Sequence, residues 1–571
     1  MKKLFFVYIL LIGGANIYAQ SPLLIPPTIT SETINLTLQE GITTFYEGIE
    51  TNTMGANGSL LGPTLILQKG STVSITVDNQ LPDTTTIHWH GMHVAPENDG
   101  GPHSIILPDE LWTPSFEIMD QAGINWYHPH LHMKTGEHVS KGIAGLIIVK
   151  DDEEEALELP RTYGVDDFPI ILQTKGFDTD GQIIFHTNLD TSVMVNGTVN
   201  PFIEFPAQVV RMRVLNGSSQ RVIELGFSDD RTFQIIGTDG GLLESPVAAE
   251  RYRIAPGQRA DILVDLSTSL GDNIQLMSYA SELPNAIYGA TQPGMGAGMT
   301  GSLIGYTSNP LNGSDYEFLD ITVGAATADP ILTVPATLIS HSPPVEGTED
   351  ITRALTFTQT VMGDLNGPFK INGSTFDMDV IDYTVPLNNT EIWTLTNQTP
   401  IAHPFHIHDI QFYILEINGS TPPVQLRGLN DVVLVPGGMG TVKFIAQFKD
   451  FANDTIPYMF HCHMLPHEDM GMMGQFIVSE GTSDITSVDN NSALSIYPNP
   501  SMNGQFKIDW TASDATPKSY QISTLDGKII SNSEITDKNI TTLDIQLSVP
   551  GTYLITLVLE QGHITRKIVI F

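Results

Sequence analysis

Basic residues are scarce in this chain of 571 residues, because 26 lysines and arginines stand against 64 aspartates and glutamates and give a formal net charge of −38. Such a charge repels nucleic acid and anionic membrane surfaces, and it favours cationic ligands. We therefore expect no nucleic-acid partner. The more ordinary role of this charge is to keep an exported protein soluble.

Long apolar runs are missing beyond the N-terminus. The first segment, MKKLFFVYILLIGGANIYAQ, has Lys2 and Lys3 before an apolar run that reaches Gly14, and the small residue Ala19 suits a cleavage site. The run is shorter than the roughly 20 residues of a membrane-spanning helix, so it predicts a secretory signal peptide over residues 1–19. We expect an exported protein without stable membrane insertion.

Cysteine is almost absent, since Cys462 is the only one in the chain. A single thiol excludes any intramolecular disulfide, although exported proteins of this size often contain them. A lone thiol outside the cytoplasm needs either burial or a metal ion, and an isolated cysteine is usually a small buried hydrophobic residue. Its neighbours, His461 and His463, point to the metal.

Short runs of alternating apolar and polar residues recur along the chain, such as STVSITV (71–77), VVRMRVL (209–215) and EIWTLTN (391–397). Gly, Pro and Asn turns separate these runs and helical periodicity is scarce, which predicts an all-β chain of sandwiches. The length predicts three or four domains. Three runs are closely followed by Asn, in ITVDN, RVLN and TLTN, which suggests three versions of one sandwich.

Polar or proline-rich stretches interrupt this pattern at DDEEEALELP (151–160), TADPILTVPATLISHSPPVEGTED (327–350) and SEGTSDITSVDNNSA (479–493). Such stretches are typical of connections between domains and of flexible linkers. After the signal peptide, they predict sandwich domains over residues 20–160, 161–330 and 331–480, a linker over 481–493 and a small C-terminal β-sandwich over 494–571.

Histidine is concentrated, because 14 of the 17 histidines fall in the windows 88–103, 128–138, 403–408 and 461–467. Each window contains a His-X-His pair, in HWH, HPH, HIH and HCH. Residues two apart on a strand face the same side, so each pair can bind one metal ion or two neighbouring ions. One such pair is weak evidence, but four in one chain make coincidence remote.

The window HCHMLPHEDMGMM carries the most chemistry. If residues 459–463 form a strand, Cys462 faces one side while His461 and His463 face the other, so a few backbone bonds connect a metal on the sulfur with metals on the imidazoles. That connection is an electron path.

A cysteine thiolate with two histidines and a weakly bound methionine is the ligand set of blue copper, whereas zinc favours more thiolates or a histidine–carboxylate set. His403 and His467 are the histidine candidates for this site, because the other histidines of the windows 403–408 and 461–467 belong to His-X-His pairs. Spacing alone leaves the methionine open between Met470, Met472 and Met473.

The eight paired histidines suffice for three further copper ions with two or three imidazoles each. They are His88, His90, His128, His130, His406, His408, His461 and His463. Such a cluster leaves coordination positions open for dioxygen. Together with the blue site, it supplies the four electrons that reduction of dioxygen to water requires.

The motifs HWHG, HPH, HPFHIH and HCHxxxHxxxxM make the chain resemble the multicopper oxidases, which include laccases, bilirubin oxidases and bacterial cuprous oxidases. The resemblance covers roughly residues 30–480 and implies three cupredoxin-like Greek-key sandwiches, with a three-copper cluster between the first and third. The segments IAPGQRADILVDL (254–266) and KINGSTFD (370–377) also resemble the second and third domains of this family.

The resemblance implies four coppers per chain and assigns a ligand set to each. It places the type 1 copper on Cys462, His403 and His467 with Met472 as axial ligand, and the type 2 copper on His88 and His406. It places one type 3 copper on His90, His128 and His463, and the other on His130, His408 and His461.

Dioxygen reduction also needs protons, and Asp99 and Glu468 match positions where bacterial relatives have acids. Either acid can relay protons to the cluster, or it can simply accept a hydrogen bond from a ligand imidazole. Mutation separates the two roles, since loss of a relay blocks oxygen reduction and leaves the copper in place.

The electron donor is indicated by a missing segment. Cuprous oxidases of this family carry a long methionine-rich insert over the type 1 site, but this chain has only QPGMGAGM, with Met295 and Met299. We therefore expect phenols or similar organic donors. The alternatives are a cuprous oxidase for copper tolerance, a non-catalytic copper-sequestering protein and a zinc hydrolase; a copper nitrite reductase needs fewer histidines.

The tail carries a second resemblance. SIYPNPSMNGQFKI, YQISTLDGKII and PGTYLITL make residues 494–571 similar to the C-terminal sorting domain of type IX secretion cargo, with an ordinary adhesion-type sandwich as the alternative. This resemblance implies export through the periplasm, the type IX machinery as a partner and a final place outside the cell or on its outer surface.

Overall fold

The computed structural model describes residues 20–292, 304–361, 363–480, 495–510, 517–524, 528–537, 540–559 and 563–571. The predicted signal peptide and linker, together with Met295 and Met299, lie outside these ranges. In the ranges described, no helix combines the length and the apolar character that crossing a membrane requires.

The first sandwich consists of a five-stranded sheet, in the order β2-β5-β11-β10-β7, and a second sheet, β4-β3-β6-β8, in which β9 also pairs with β6. Its strands are β2 (Thr28–Ile29), β3 (Thr33–Tyr46), β4 (Ile49–Ala56), β5 (Thr64–Gln68), β6 (Thr72–Asn79), β7 (His88–His90), β8 (Leu111–Trp112), β9 (Ser115–Glu117), β10 (Gly123–His128) and β11 (Gly145–Lys150). Strand β1 (Ser21–Pro22) precedes them in the chain and belongs to the second sandwich.

The second sandwich pairs the sheet β1-β16-β24-β23-β18-β21 with the sheet β15-β14-β12-β17-β22-β19-β20, to which β13 adds through β12. Its further strands are β12 (Asp167–Phe177), β13 (Ile183–Ile184), β14 (Ser192–Val195), β15 (Thr198–Val199), β16 (Pro201–Pro206), β17 (Val209–Asn216), β18 (Ile223–Phe227), β19 (Phe233–Thr238), β20 (Gly241–Ala249), β21 (Tyr252–Ile254), β22 (Arg259–Asp265), β23 (Asn273–Ser278) and β24 (Tyr316–Gly324).

The third sandwich has the sheets β26-β25-β28-β33-β30-β31 and β27-β35-β34-β29-β32. Its strands are β25 (Ile351–Gln359), β26 (Phe369–Ile371), β27 (Tyr383–Pro386), β28 (Thr390–Asn397), β29 (His403–Ile407), β30 (Phe412–Ile417), β31 (Leu429–Asn430), β32 (Val432–Val435), β33 (Gly440–Gln447), β34 (Tyr458–Cys462) and β35 (Met473–Ser479).

The C-terminal sandwich pairs the sheets β36-β37-β40 and β39-β38-β41-β42. Its strands are β36 (Ser495–Tyr497), β37 (Gln505–Asp509), β38 (Pro517–Thr524), β39 (Ile529–Glu534), β40 (Thr542–Gln546), β41 (Gly551–Leu559) and β42 (His563–Ile570). Short helices lie between strands at α1 (Pro96–Asp99), α2 (Thr135–Lys141), α3 (Asp152–Glu155) and α4 (Leu465–Asp469), with 3-10 turns at Ala280–Glu282 and Val424–Leu426.

Each sandwich has its own apolar core, filled from both of its sheets. In β6 the alternation works as the sequence predicts, because Val73, Ile75 and Val77 are buried and the residues between them are partly exposed. The prediction of an all-β chain of sandwiches is confirmed. The domain limits proposed from the sequence stay predictions.

Strand β17 departs from simple alternation, because all eight of its residues are buried. Arg211 and Arg213, which a half-exposed strand would turn to water, form buried ion pairs instead. Arg211 pairs with Asp261 and Glu154, and Arg213 with Asp167. Pairing with carboxylates offsets the desolvation of the guanidinium groups. The sheet is therefore covered on both faces along this strand.

Candidate metal centre

Two neighbouring strands of the first sandwich bring its histidine pairs together. Strands β7 and β10 are antiparallel, and their register places His88 opposite His128 and His90 opposite Trp126. Trp89, between the two histidines of β7, packs in the apolar core of this sandwich. The alternation of the strand thus directs both imidazoles away from the core. His130 follows β10 and is also buried.

The third sandwich repeats this arrangement with β29 and β34. Their register places His406 opposite His461 and Phe405 opposite Cys462. Residues that alternate along a strand face opposite sides. The two histidines therefore face the first sandwich, while Cys462 faces the apolar interior of the third, where it packs in the core.

These elements form what we call the eight-histidine site, whose members are His88, His90, His128, His130, His406, His408, His461 and His463. Three groups of imidazoles each have ligand atoms within 4.8 Å of one another: His88 with His406 and His408, His90 with His128 and His463, and His130 with His408 and His461. His408 belongs to two groups. The last two groups are the two type 3 sets that the family resemblance implies. The first group contains the implied type 2 pair, His88 and His406, and adds His408.

In six of these imidazoles one nitrogen is engaged with an oxygen acceptor. The contacts are His88 Nδ1 to Asp99 O (2.9 Å), His90 Nε2 to Asp431 Oδ1 (3.1 Å), His128 Nδ1 to Pro129 O (2.8 Å), His406 Nδ1 to Asp431 O (2.9 Å), His408 Nδ1 to Asp99 Oδ2 (2.9 Å) and His461 Nδ1 to Cys462 O (3.2 Å). Five of the six opposite nitrogens are buried and make no hydrogen bond, namely Nε2 of His88, His128, His406 and His408 and Nδ1 of His90.

Burial favours the neutral form of most of these imidazoles. It lowers the pKa of His130 and of His463 to about 3, with neighbouring histidines adding to the effect. Burial and repulsion from His463 likewise bring the pKa of His128 well below its usual range. A neutral imidazole held through one N–H presents a lone pair on the other nitrogen, which is the state a metal ligand needs. The site fits copper ions.

A second group, which we call the cysteine site, lies within the third sandwich. Cys462 Sγ is 3.4 Å from His403 Nδ1 and 3.7 Å from His467 Nδ1, and the two nitrogens are 3.3 Å apart. His403 Nε2 contacts Thr399 Oγ1 at 2.8 Å, and His467 Nε2 donates to the carbonyl oxygen of Leu365 at 3.2 Å. Both Nδ1 atoms therefore converge on the sulfur.

Of the three candidate methionines, Met472 is the one whose backbone is hydrogen-bonded to that of Cys462. Its carbonyl oxygen accepts from the Cys462 N–H at 3.0 Å, and its side chain is buried in the same core cluster. Burial raises the pKa of the Cys462 thiol, so the sulfur keeps its proton until a metal displaces it. Thiolate, two imidazoles and a thioether form the donor set of a blue copper.

The two acids chosen from the sequence both lie against the eight-histidine site. Asp99, at the end of α1, contacts His88 and His408. Glu468, in α4, lies 3.5 Å from His130 Nδ1 and 3.3 Å from His461 Nδ1. Burial and the nearby Asp469 raise the pKa of Glu468 well above its usual range, which favours the protonated form of its carboxyl group.

Sequence reasoning missed Asp431, Arg259 and Gly91. Asp431 accepts from both His90 and His406, and Arg259 binds the Asp431 carboxylate. Gly91 has φ +89°, and a Cβ atom there would lie 2.5 Å from Arg259 Nη2 and 2.7 Å from Asp431 Oδ2. The glycine of HWHG was a visible signal, but an isolated aspartate in a chain with 64 acidic residues was not.

Histidines outside the two sites have other contacts. His93 lies between Asp409 Oδ1 (2.8 Å) and Asp450 Oδ2 (3.2 Å), and so ties the first sandwich to the third. His103 contacts Gln475 Oε1 at 2.8 Å, and His138 contacts Thr85 Oγ1 at 3.1 Å.

Comparison with known proteins agrees with this geometry. Residues 37–154 and 348–482 each match a family model described as multicopper oxidase, and residues 495–571 match the secretion system C-terminal sorting domain. The sorting domain indicates export by the type IX machinery to the cell surface or beyond.

Two curated relatives and one solved structure cover most of the chain. The multicopper oxidase mco of Staphylococcus haemolyticus is 34% identical over 78% of this chain and 88% of its own length. The cell division protein FtsP of Escherichia coli is 30% identical over 81% and 93%. The structure of CueO, a laccase-like multicopper oxidase from Ochrobactrum sp., is 33% identical with a TM-score of 0.69, and the match covers 80% of this chain and all of that one.

The structure of CueO was reported with oxidase activity towards lignin model compounds and lignosulfonate. The resemblances found in the sequence are confirmed for both the body and the tail. From its sequence relatives, its fold and its two histidine-rich sites, the chain belongs to the multicopper oxidase family.

Proposed function

We propose that this family member is a laccase-like oxidase that couples four one-electron oxidations of phenolic or similar organic donors to the reduction of dioxygen to water. One observation carries the proposal. Cys462 lies in the cysteine site, while its neighbours His461 and His463 lie in the eight-histidine site. The two sites are thus joined through one short stretch of backbone, which is the arrangement needed to pass electrons from a donor to dioxygen.

Four copper ions fit the donor groups, and they would supply one-electron redox chemistry and dioxygen binding. Cys462, His403 and His467, together with Met472, would hold the type 1 copper. His88 and His406 would hold the type 2 copper. The two type 3 coppers would be held by His90, His128 and His463, and by His130, His408 and His461.

Asp99 and Glu468 have the positions of proton relays in this proposal. Each carboxyl group contacts two imidazoles of the eight-histidine site, so each can pass protons to the space that the site encloses. Holding the imidazoles by hydrogen bonds is the other role these contacts allow.

A copper-loaded preparation of the full-length protein tests the proposal. We expect four coppers per chain, a strong blue colour and oxygen consumption when a phenolic donor is added. Blue colour without oxygen consumption would support copper sequestration instead, and a colourless protein loaded with zinc would contradict both functions.

A cuprous oxidase is the second candidate, and one observation favours it. Ile304, the first described residue after the segment that contains Met295 and Met299, exchanges backbone hydrogen bonds with Gly363 and Leu365. The carbonyl of Leu365 accepts from His467. Ile304 therefore lies beside a loop that contacts the cysteine site. Comparing oxidation rates for Cu(I), bilirubin and simple phenols, with a Met295→Ala/Met299→Ala variant as control, separates the donors.

The tail defines the proposed destination. We propose that the protein crosses the inner membrane with a cleaved signal peptide and the outer membrane through the type IX machinery. Mass spectrometry of the extracellular protein tests this route. Cleavage of the signal peptide should give a mature N-terminus at residue 20, and removal of the tail after export should give loss of the region after residue 480.

A further inference from the structure

The second sandwich supplies none of the eight histidines, yet one of its turns lies directly against them. Residues 256–259, with the sequence PGQR, immediately precede or begin β22. Gly257 has φ +81°, and a Cβ atom there would lie 2.9 Å from the ring of His463. Only a glycine allows this approach, so the turn forms part of the wall of the site.

Arg259, the last residue of this turn, is buried and binds all three sandwiches at once. Its Nε donates to the carbonyl of Ile124 at 2.8 Å, and its Nη2 donates to Asn125 Oδ1 at 3.2 Å, both in the first sandwich. Within its own sandwich it donates to the carbonyls of Gly257 and Asp239. In the third sandwich, the two carboxylate oxygens of Asp431 accept hydrogen bonds from the Nη1 and Nη2 atoms of Arg259.

Asp431 in turn accepts hydrogen bonds from two of the proposed copper ligands. Its Oδ1 accepts from Nε2 of His90, which belongs to the first sandwich, and its backbone carbonyl accepts from Nδ1 of His406, which belongs to the third. The hydrogen bond to Nε2 fixes the tautomer of His90 and leaves Nδ1, which is buried and without a partner, facing the site.

The charges explain why the arginine is needed. Asp431 is 1% exposed, and a buried carboxylate without a cation is strongly disfavoured. A bidentate guanidinium both neutralises the carboxylate and fixes its plane, which a single ammonium group cannot do. Without Arg259, the Asp431 carboxyl group must find a proton or turn away, and either change alters the hydrogen bond that holds His90.

The geometry points to Arg259 and Asp431 as positioning residues for the eight-histidine site, through which the second sandwich controls copper retention there although it contributes no ligand. Loss of Arg259 weakens copper binding at this site and spares the cysteine site, whose three donors all come from the third sandwich. The inference rests on the proposed function, because it presupposes copper at both sites.

The test uses the full-length protein with Arg259→Gln, Arg259→Lys and Arg213→Gln. Arg213 is the matched control, since it is also a buried arginine of the second sandwich with a bidentate aspartate partner, Asp167, and its ion-pair partners in the described residues are aspartates and none of the eight histidines. Copper per chain, the blue absorption and the electron paramagnetic resonance signal of type 2 copper are measured, together with the melting temperature of each copper-free variant.

We expect Arg259→Gln to bind copper at the eight-histidine site about 10- to 100-fold more weakly, as loss of a residue that orients a ligand usually does. The blue absorption should persist while the type 2 signal is lost or altered. Arg259→Lys keeps the charge and should restore part of the copper. Arg213→Gln should lower the melting temperature and leave both copper signals unchanged.

Two results would overturn the inference. One is Arg259→Gln with wild-type copper content and an unaltered type 2 signal; the other is equal loss of copper from both sites in the Arg259→Gln and Arg213→Gln variants, which would mean general destabilisation. If Arg259→Gln does not fold, the lysine variant gives the same comparison. Failure of the inference and failure of the proposed function are distinguishable. The proposed function requires that the wild-type protein carries four coppers and oxidises the donor, whereas the inference is tested by the variants.

Discussion

The cysteine site and the eight-histidine site differ in where their side chains originate. His403, Cys462 and His467 all belong to the third sandwich, and their donor atoms converge inside its own core. The eight-histidine site takes four imidazoles from the first sandwich and four from the third, with support from the second. The first site thus depends on the fold of one domain, whereas the second depends on the assembly of three.

The largest expected effect comes from removing the sulfur that links the two sites. Cys462→Ser replaces the thiolate with a poor copper ligand, so we expect loss of the blue absorption and a fall of donor oxidation to background. Copper at the eight-histidine site should remain, which atomic absorption and the type 2 signal measure. Retention of donor oxidation would show that electrons enter without the cysteine site.

The next effect concerns the two acids. Asp99→Asn and Glu468→Gln should each lower the rate of oxygen consumption by about 100-fold or more if the carboxyl groups relay protons, since general acid–base catalysis contributes about that much. Copper content should stay at the wild-type level. Loss of copper together with activity would instead assign a purely orienting role. Asp190→Asn, a buried aspartate paired with Arg221, controls for the general cost of removing a buried charge.

A smaller effect sharpens the role of the interface. Gly91→Ala adds a Cβ atom within 3 Å of Arg259 and Asp431, whereas Gly48→Ala adds one at a similar φ, +76°, with nothing within 4 Å. Gly48→Ala reports backbone strain alone, about 1–2 kcal/mol. We expect the Gly91 variant to be less stable than the Gly48 variant and to lose copper only from the eight-histidine site. Equal melting temperatures and copper contents would contradict this.

The smallest predicted effect depends on pH. Burial lowers the pKa of His93, but the carboxylates of Asp409 and Asp120 outweigh it and raise that pKa to about 10. A pKa raised above the unfolded value means that the charged His93 stabilises the fold fully below about pH 6.5 and loses this effect as pH rises to about 10. We expect His93→Gln to lower the melting temperature at pH 6 by about 2–4 °C.

The difference between this variant and the wild-type protein should shrink towards pH 10. A difference that stays constant over this range would mean that His93 contributes by packing and not by its charge.

The sequence sufficed for much of the fold and for the residues of both sites, because each His-X-His pair lies on a strand or begins in the last residues of one, and the alternation of these strands is visible in the sequence. HWHG and HPFHIH are short and local, so their chemistry could be recognised without coordinates. The alternation in β6 likewise predicts which of its side chains are buried.

Contacts between distant segments were beyond reach. Arg259, Asp431 and Asn125 meet only because three sandwiches pack together, and nothing in their local sequence marks them as partners. The buried arginines of β17 were hidden for the same reason, since alternation predicts a polar face but not the carboxylates that cover it. Spacing alone did not distinguish Met472 from its neighbours; the family resemblance implied it, and the structure adds the hydrogen bond between its carbonyl and the Cys462 N–H.

Because Cys462 is the chain's one sulfhydryl, it also serves as a stoichiometric chemical reporter. Its burial shields it from thiol reagents and oxidants in the folded protein. After denaturation in a chelator, each chain should release one reactive thiol, and no other sulfhydryl contributes to the titration. Any shortfall below one per chain directly measures the fraction of molecules whose electron entry point has been oxidised.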